Sequence, residues 1–473
     1  MTPAEALPLS DEADLGTATA SSYGLKRGIL SPVETLAQSI STIAPTTSPT
    51  MTIPLVFALA GNATWLAYLL ATAGVLLVAL CVSRFARYSA SPGSLYIYAS
   101  TLRPVVGSIT AWALLLAYIA TAASVAGGFI NYANVLLNLG FGLRAPQSLL
   151  AVIAVTVATA IAYRDVKVSA RTMLWIEAVS ITFISIVVAI LLAKNGLHLH
   201  PAQLRLDGAS SSGVRLGVVL ALFSFVGFES ATTLGAEARE PLRTIPRAVI
   251  QSAMLTGVFL ILCAYTEVLG FAGAHQNFGS SDAPMHLLAQ QAGVPLLGPL
   301  IDAGALVSMF ACILACITAG ARVLMLMGHN GLASRRLTQT HLRNATPGPA
   351  VVSVGVLTLL PAALLAARGA SGSDIYGWLG SLATYGFITV YGLVALALAF
   401  YMRRQGHLTP AVILLSVTTT VAMVLALVGT LIPVPAAPYS WLPYVYLVYI
   451  LAGLGWYFRL QSKRRRPAPQ HQA

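Results

Sequence analysis

Charge is what this chain has least of. Only 9% of its 473 residues are Asp, Glu, Lys or Arg, against about 25% in a soluble protein. That shortage excludes a water-soluble globule of this size. Acid is scarcer than base, at 15 Asp and Glu against 27 Lys and Arg. Cysteine is scarce too. Cys81, Cys263, Cys312 and Cys316 all sit in apolar stretches. Cys312 and Cys316 lie one helical turn apart, but no nearby His or acid completes a metal site, so they read as small buried residues. Residues 1–25 carry Glu5, Asp11, Glu12 and Asp14 and lack a basic start followed by an apolar core. A cleavable signal peptide is therefore not expected. HExxH, P-loop and GxSxG patterns are all missing, so neither an enzyme nor a cofactor is expected.

Apolar residues fill the space that charge leaves. They make up 57% of the chain, and mean hydropathy is +0.79. They come in blocks of about 18 to 28 residues, each long enough to cross a bilayer core. The blocks are 30–59, 64–86, 105–138, 147–163, 170–193, 213–235, 247–273, 297–327, 349–367, 375–401, 409–432 and 440–460. They predict an all-α integral membrane protein with twelve transmembrane helices. The block 105–138 exceeds one untilted crossing and reads as a strongly tilted helix with an extension outside the membrane. Residues 1–28 are expected to be a disordered cytoplasmic tail, 29–462 the membrane domain, and 463–473 a basic cytoplasmic tail.

Basic residues set the orientation. With the N-terminus inside, only Arg144, Lys194, Arg205, Arg215 and Arg368 of the 27 fall outside. Both termini are therefore expected in the cytoplasm. The net charge of +12 reads as an inner rim facing anionic lipid, with no nucleic-acid partner implied.

Two blocks are broken by residues that do not suit a membrane helix. Block 1 contains Ala44-Pro45-Thr46-Thr47-Ser48-Pro49. Two prolines remove backbone donors and clash with the preceding turn. A new half-helix starting near Thr50 would point its amides, and the positive end of its dipole, at an anion. The alternative is a kink whose hydroxyls bond back to their own backbone. Block 6 contains Phe225-Val226-Gly227-Phe228-Glu229. A carboxylate in hydrocarbon costs about 2.5 to 3.5 kcal/mol, so it marks function by default. Carbonyls freed there suit a substrate ammonium, and Phe223 sits one turn earlier, placed to stack on a substrate or to pack the core. Glu229 has three open roles: proton site, counter-ion to a cation, or bonded strut.

Blocks 1 and 6 hold corresponding positions if blocks 1–5 repeat as 6–10. Five is odd, so the second copy would enter the membrane inverted, as in many secondary transporters. The match is positional, about 30–193 against 213–401, and blocks 11 and 12 fall outside it.

At this point a family resemblance is visible. Gly227-Phe228-Glu229-Ser230, followed by Glu237, Pro241, Arg243, Ile245, Pro246 and Arg247, resembles the sixth-span signature of amino acid–polyamine–organocation (APC) transporters. Ser91-Pro92-Gly93-Ser94-Leu95-Tyr96-Ile97-Tyr98 resembles their loop before the third span, and Lys167-Val168-Ser169-Ala170-Arg171 the start of their fifth. Arg322 through Gly331-Leu332, then Thr346-Pro347, resembles the connection between their eighth and ninth. The resemblance covers about residues 25 to 460. It implies a five-plus-five inverted-repeat (LeuT-like) fold with helices 1 and 6 broken, alternating access, and movement of an amino acid or related amine.

The chain departs from that family in three ways. Many members have a Gly-Ser-Gly-type break in span 1, where this chain has Ala44-Pro45-Thr46-Thr47. Some carry a lysine deep in span 5, where this chain has Glu177 two turns in from Arg171. Glu267 and Asp302 add acids to spans 7 and 8, near their outer ends. With Glu177 and Glu229 and no base at the same depth they suggest proton handling or a cationic substrate, while the plainer expectation for these two is a wet, exposed rim. Glu177 reads either as a proton-handling group or as a bond to a neighbouring helix.

The resulting expectation is a plasma-membrane permease for an amino acid or organic amine, proton-coupled or exchanging, and monomeric or homodimeric. Ile43, Ala44, Pro45, Thr46 and Thr47 from the first break would face Phe225, Val226 and Gly227 from the second across the substrate. Phe223, Tyr118 and Ser308 would wall it, and Glu177 and Glu229 would couple or gate. The competing readings are a sodium-coupled symporter of another solute on the same fold, and a channel. A channel would more naturally show repeated pore helices or rings of charge, which this sequence does not.

Overall fold

The computed structural model describes residues 28–89, 94–164, 167–196, 200–235, 237–272, 278, 281–341, 346–432, 434 and 437–465. The N-terminal tail, all but its last residue, lies outside them. So do most of the basic C-terminal tail and Ser91 to Gly93 of the third-span motif.

The described chain is helical. Its order is α1 (Pro32–Ile43), α2 (Ile53–Ala60), α3 (Thr64–Ala86), α4 (Ser94–Ser100), α5 (Pro104–Phe141), α6 (Gln147–Arg164), α7 (Lys167–Lys194) and α8 (Pro201–Leu204). There follow α9 (Ser211–Phe223), α10 (Pro241–Phe271), α11 (Pro284–Gln291), α12 (Leu297–His329), α13 (Gly348–Ala367), α14 (Gly372–Arg404), α15 (Pro410–Gly429) and α16 (Leu442–Arg465). Among the described residues, ten helical stretches are long and apolar enough to cross a membrane. The first of these, Pro32–Ala86, comprises α1 to α3, and the 13-residue α9 is apolar but shorter.

Helix starts follow local chemistry. Ser31 and Glu34 form a capping box ahead of Pro32, and Ser371 with Asp374 does the same for α14. Each box satisfies two amides that the first turn leaves open.

The long block 105–138 is one unbroken helix, α5, of 38 residues, or about 57 Å at the α-helical rise. It is the shaft of the bundle: 89% of its most apolar stretch is buried, against 11% for α16. Its main neighbours are α14 and α12, while α10 lies along α3 and α13 along α6. The backbones of α5 and α14 touch through two glycines. A Cβ on Gly127 would lie 2.6 Å from the Gly372 carbonyl oxygen, and one on Gly372 would lie 2.5 Å from that of Gly127. Lipid gives helices no hydrophobic reason to associate, so such close backbone contact supplies the attraction. The outward faces of α13, α15 and α16 keep Leu and Val exposed, as at Leu360, Leu414 and Val448.

Candidate functional site

Both expected breaks are present, and they face each other. α1 ends at Ala44, whose φ of 48° is left-handed. An alanine there is strained and persists only where its surroundings hold it. The Thr47 amide donates to the Ala44 carbonyl at 2.8 Å. The chain then resumes as a π-turn over Ser48–Thr52 and continues as α2. α9 stops at Phe223, residues 224–229 form turns, and a short 3₁₀ segment follows at Ser230–Leu234. Gly227 has φ +94° there, and a Cβ on it would collide with the Thr42 side chain. Only glycine meets both demands.

Hydroxyls stitch the breaks together. The Ser39 hydroxyl donates to the Phe228 carbonyl at 2.7 Å and accepts from the Ala231 amide at 3.1 Å. The Ser230 hydroxyl donates to Thr42 Oγ1 at 2.9 Å. From α12, the Cys312 thiol donates to the Thr42 carbonyl at 3.1 Å. Interrupting two helices frees backbone groups that must find partners. Here each break supplies many of the partners for the other.

The first break already holds a carboxyl group, and it belongs to the chain. Glu177 Oε1 accepts from both the amide and the hydroxyl of Thr46, each at 3.0 Å. This is the amide expected to receive a substrate carboxylate. Ser308 on α12 lies beside the same carboxylate, though its hydroxyl makes no hydrogen bond of good geometry there. The buried Thr47 hydroxyl also lacks a partner among the described residues. Ile43, Ala44, Thr46 and Thr47 are all buried.

Glu229 is fully buried and has a partner on each oxygen. Tyr118 of α5 donates to Oε1 at 2.9 Å, and Tyr391 of α14 donates to Oε2 at 2.7 Å. Both bonds tie the second break to α5 and α14. Phe225 and Val226 are buried. Phe223 meets Tyr376 edge-on, with ring centroids 5.6 Å apart, and Tyr376 shares a 2.7 Å hydrogen bond with Thr52. The expected residues of the two breaks and of the α5 and α12 walls thus gather in one closed core.

Sequence reasoning missed Tyr391, Tyr376 and Cys312 at this site. A phenol inside a membrane helix needs a hydrogen-bond partner. That need was a usable signal, but it does not say which break the hydroxyl will meet.

Glu267 and Asp302 require a correction. Both were expected on an exposed rim, and both have no exposed surface. α10 packs against α3, α7 and α11, and α11 also packs against α12, which carries Asp302. His286 Nδ1 lies 2.7 Å from Asp302 Oδ2. Neither Glu267 oxygen has a hydrogen-bond partner among the described residues.

Arg322 also departs from expectation. Counted with the inner rim, it is instead buried, with 2% of its side chain exposed. Its Nε and Nη2 donate to Glu237 Oε2 at 2.9 and 2.7 Å, and Nη1 donates to the Thr318 carbonyl at 3.2 Å. Beside this pair, Leu30 and Ala238 form a parallel bridge. The Leu30 amide donates to the Glu237 carbonyl at 3.1 Å, and the Arg239 amide to the Leu30 carbonyl at 2.8 Å. The segment before α1 is thereby tied to the segment after the second break. At the opposite end lies a cavity of about 620 Å³, with Asn131, Asn134, Arg144, Asp282 and His286 among its lining residues.

Two apposed helix breaks, closed at one end and approached by a cavity at the other, define a membrane transporter. Comparison with known proteins gives the family. The amino acid permease model matches residues 35–468, and the chain belongs to that family. The branched-chain amino acid permease BcaP of Lactococcus lactis is 26% identical, over 93% of this chain and 95% of its own length. BcaP of Bacillus subtilis is 24% identical, over 74% and 76%. A crystal structure of MhsT in complex with L-phenylalanine superposes with a TM-score of 0.58, covering 85% of this chain and 99% of that one at 15% identity. That likeness supports the fold. The relatives are transporters and not enzymes, and the chain is a multi-pass membrane transporter of amino acids.

Proposed function

We propose that the chain moves an apolar amino acid across the bacterial inner membrane by alternating access, coupled to protons or by exchange. In this reading it spans the membrane twelve times, as two inverted five-helix repeats plus α15 and α16. Both termini are cytoplasmic, from the distribution of basic residues. The Arg322–Glu237 end then faces the cytoplasm, and the 620 Å³ cavity is an outer vestibule.

The observation that carries this reading is the pair of apposed breaks. Substrate would sit between 43–47 and 223–227, against Tyr118 and Ser308. Its ammonium would meet carbonyls freed at the second break, and its carboxylate the Thr46 and Thr47 groups once Glu177 yields. The side-chain space is bounded by Ile43, Phe223, Phe225 and Val226, and no basic or acidic group other than the already bonded Glu177 and Glu229 contributes to the contacts described there. That favours an apolar side chain over a cationic one, in keeping with the names of the BcaP relatives.

A thermal-shift screen of the purified protein against amino acids, polyamines and amines tests the reading. Ligand at about 100 times its dissociation constant stabilises the folded state by about 2.7 kcal/mol. Stabilisation by isoleucine, leucine or valine and not by putrescine is expected, and the reverse order overturns the substrate class. Cysteine labelling of intact cells tests the topology. Positions near Asn62 and Ser281 should label, and positions 2 and 473 should not.

A further inference from the structure

Glu267 is the one carboxyl of the described membrane core with nothing bonded to either oxygen. Glu177 holds Thr46, Glu229 holds two tyrosines, and Asp302 holds His286. An ionised carboxylate without hydrogen bonds or a partner charge costs many kcal/mol in such surroundings. It therefore carries a bound cation or a proton. Among the described residues, no group of three or more His, Cys, Asp or Glu side chains is placed to hold a metal ion. A proton requires no such ligand cage.

The neighbours of Glu267 give that proton something to act on. Glu267 is close enough to interact electrostatically with the hydroxyls of Tyr68 on α3 and Tyr132 on α5, and with the thiol of Cys263 one turn earlier on its own helix. Each tyrosine is bonded to a different broken helix. Tyr68 shares a 2.9 Å hydrogen bond with Ser224 at the start of the second break. Tyr132 donates at 3.1 Å to the Thr50 carbonyl of the first. Thr50 in turn donates at 2.9 Å to the carbonyl of Thr46, the residue that holds Glu177. Asp302 on α12 and Asp282 before α11 also act on Tyr132, and Tyr376 on α14 acts on Tyr68.

A route from water reaches Asp302. His286 lines the 620 Å³ cavity and keeps 15% of its side chain exposed, while its Nδ1 meets the buried Asp302.

We propose that Glu267 is a proton-carrying site of the transport cycle, loaded from the outer vestibule through His286 and Asp302. Vestibule water gives a proton to Nε2 of His286, and the proton on Nδ1 passes to Asp302 Oδ2. One proton has then moved from water to a carboxyl, and the imidazole is neutral again. The proton moves on to Glu267; both acids lie within electrostatic reach of the Tyr132 hydroxyl. Loading removes a negative charge within electrostatic reach of the two tyrosines that hold the breaks. Unloading restores it. The site is separate from Glu177 and Glu229, and its role in coupling rests on the proton-coupled reading above.

Two measurements test it. Infrared spectroscopy of the purified full-length protein at neutral pH should show the carbonyl stretch of a protonated carboxyl that Glu267→Gln lacks. An unchanged spectrum means that Glu267 is not the proton carrier and overturns the proposal whatever the substrate. In proteoliposomes, Glu267→Gln should keep isoleucine–isoleucine exchange and lose about tenfold of the accumulation driven by an acid-outside gradient. His286→Ala should slow that accumulation and keep the Glu267 infrared band. Accumulation by Glu267→Gln at the wild-type level overturns the coupling role. Accumulation driven by a sodium gradient and abolished in Glu267→Gln assigns a sodium ion to the site instead. Wild-type protein that binds isoleucine but ignores a pH gradient refutes the proton-coupled reading, and leaves the infrared band to decide the protonation of Glu267 alone.

Discussion

The two ends of the bundle each bury an acid and treat it in opposite ways. At the end where α1 begins, Glu237 receives two hydrogen bonds from Arg322, and the adjoining backbone is paired with Leu30. At the other end, Glu267 has no bonded partner among the described residues, and a cavity there is lined by His286, the partner of Asp302. The first arrangement ties the ends of two segments together. In the proposed cycle it would be a closed seal, and Glu267 a site whose charge changes while the fold stays the same; alternating access would need both. Between them, Glu177 and Glu229 are bonded to the two breaks and resemble the seal more than the open site.

Breaking the seal should have the largest effect. Arg322→Met leaves the Glu237 carboxylate buried and unpaired, which costs about 3–5 kcal/mol. Thermal melting should show the loss, and a cysteine placed near Leu30 should become reactive from the inner side. The double variant Arg322→Met, Glu237→Leu should recover most of the melting temperature without recovering transport. Full stability in the single variant would show that the pair is not what closes this end.

The contact between the breaks comes next. Gly227→Ala drives a methyl into Thr42 and places it at a positive φ, which should abolish uptake. Thr46→Leu should also abolish uptake while sparing expression, because it removes the hydroxyl bonded to Glu177 and fills the space between the half-helices. Normal isoleucine affinity in the Thr46 variant would move the substrate elsewhere.

Glu229→Gln has a smaller expected cost. The amide keeps one acceptor, so one of the two tyrosine hydroxyls is left facing a donor, at about 1–3 kcal/mol for an unsatisfied buried group. Uptake should fall, and melting should show a modest drop. A variant that melts like wild type and transports normally would remove Glu229 from the strut role.

Glu177→Gln should give the most specific effect. It mimics the protonated acid and weakens the hold on Thr46, so uptake should lose part of its pH dependence while exchange persists. An unchanged pH profile would make Glu177 a structural bond to α1, and would leave Glu267 as the acid that couples.

Much of this was visible in the order of the residues. Blocks of apolar residues, punctuated by Pro45, Pro49 and Gly227, are local facts. They placed both breaks within a few residues of where the helices stop, at Ala44 and after Phe223. Pro45, Pro49, Gly227 and Glu229 were legible because each is out of place in a plain membrane helix, and Ala44 and Thr46 followed from the prolines beside them. What α5 would do was legible only as an excess of length.

Partner choice was not legible, because it depends on groups far apart in the chain. Thr46 and Glu177 are 131 residues apart, and Glu229 and Tyr391 are 162. The same lack of charge that determined a membrane protein left each buried acid with few possible partners. It did not say whether an acid would find an arginine, two tyrosines, a backbone amide or nothing. Hydropathy placed Glu267 near the end of a span, where a solvated rim is the ordinary outcome. Only the packing of α10 against α3, α7 and α11 decided that Glu267 is buried there, and burial, not sequence position, sets what an unpaired carboxyl costs.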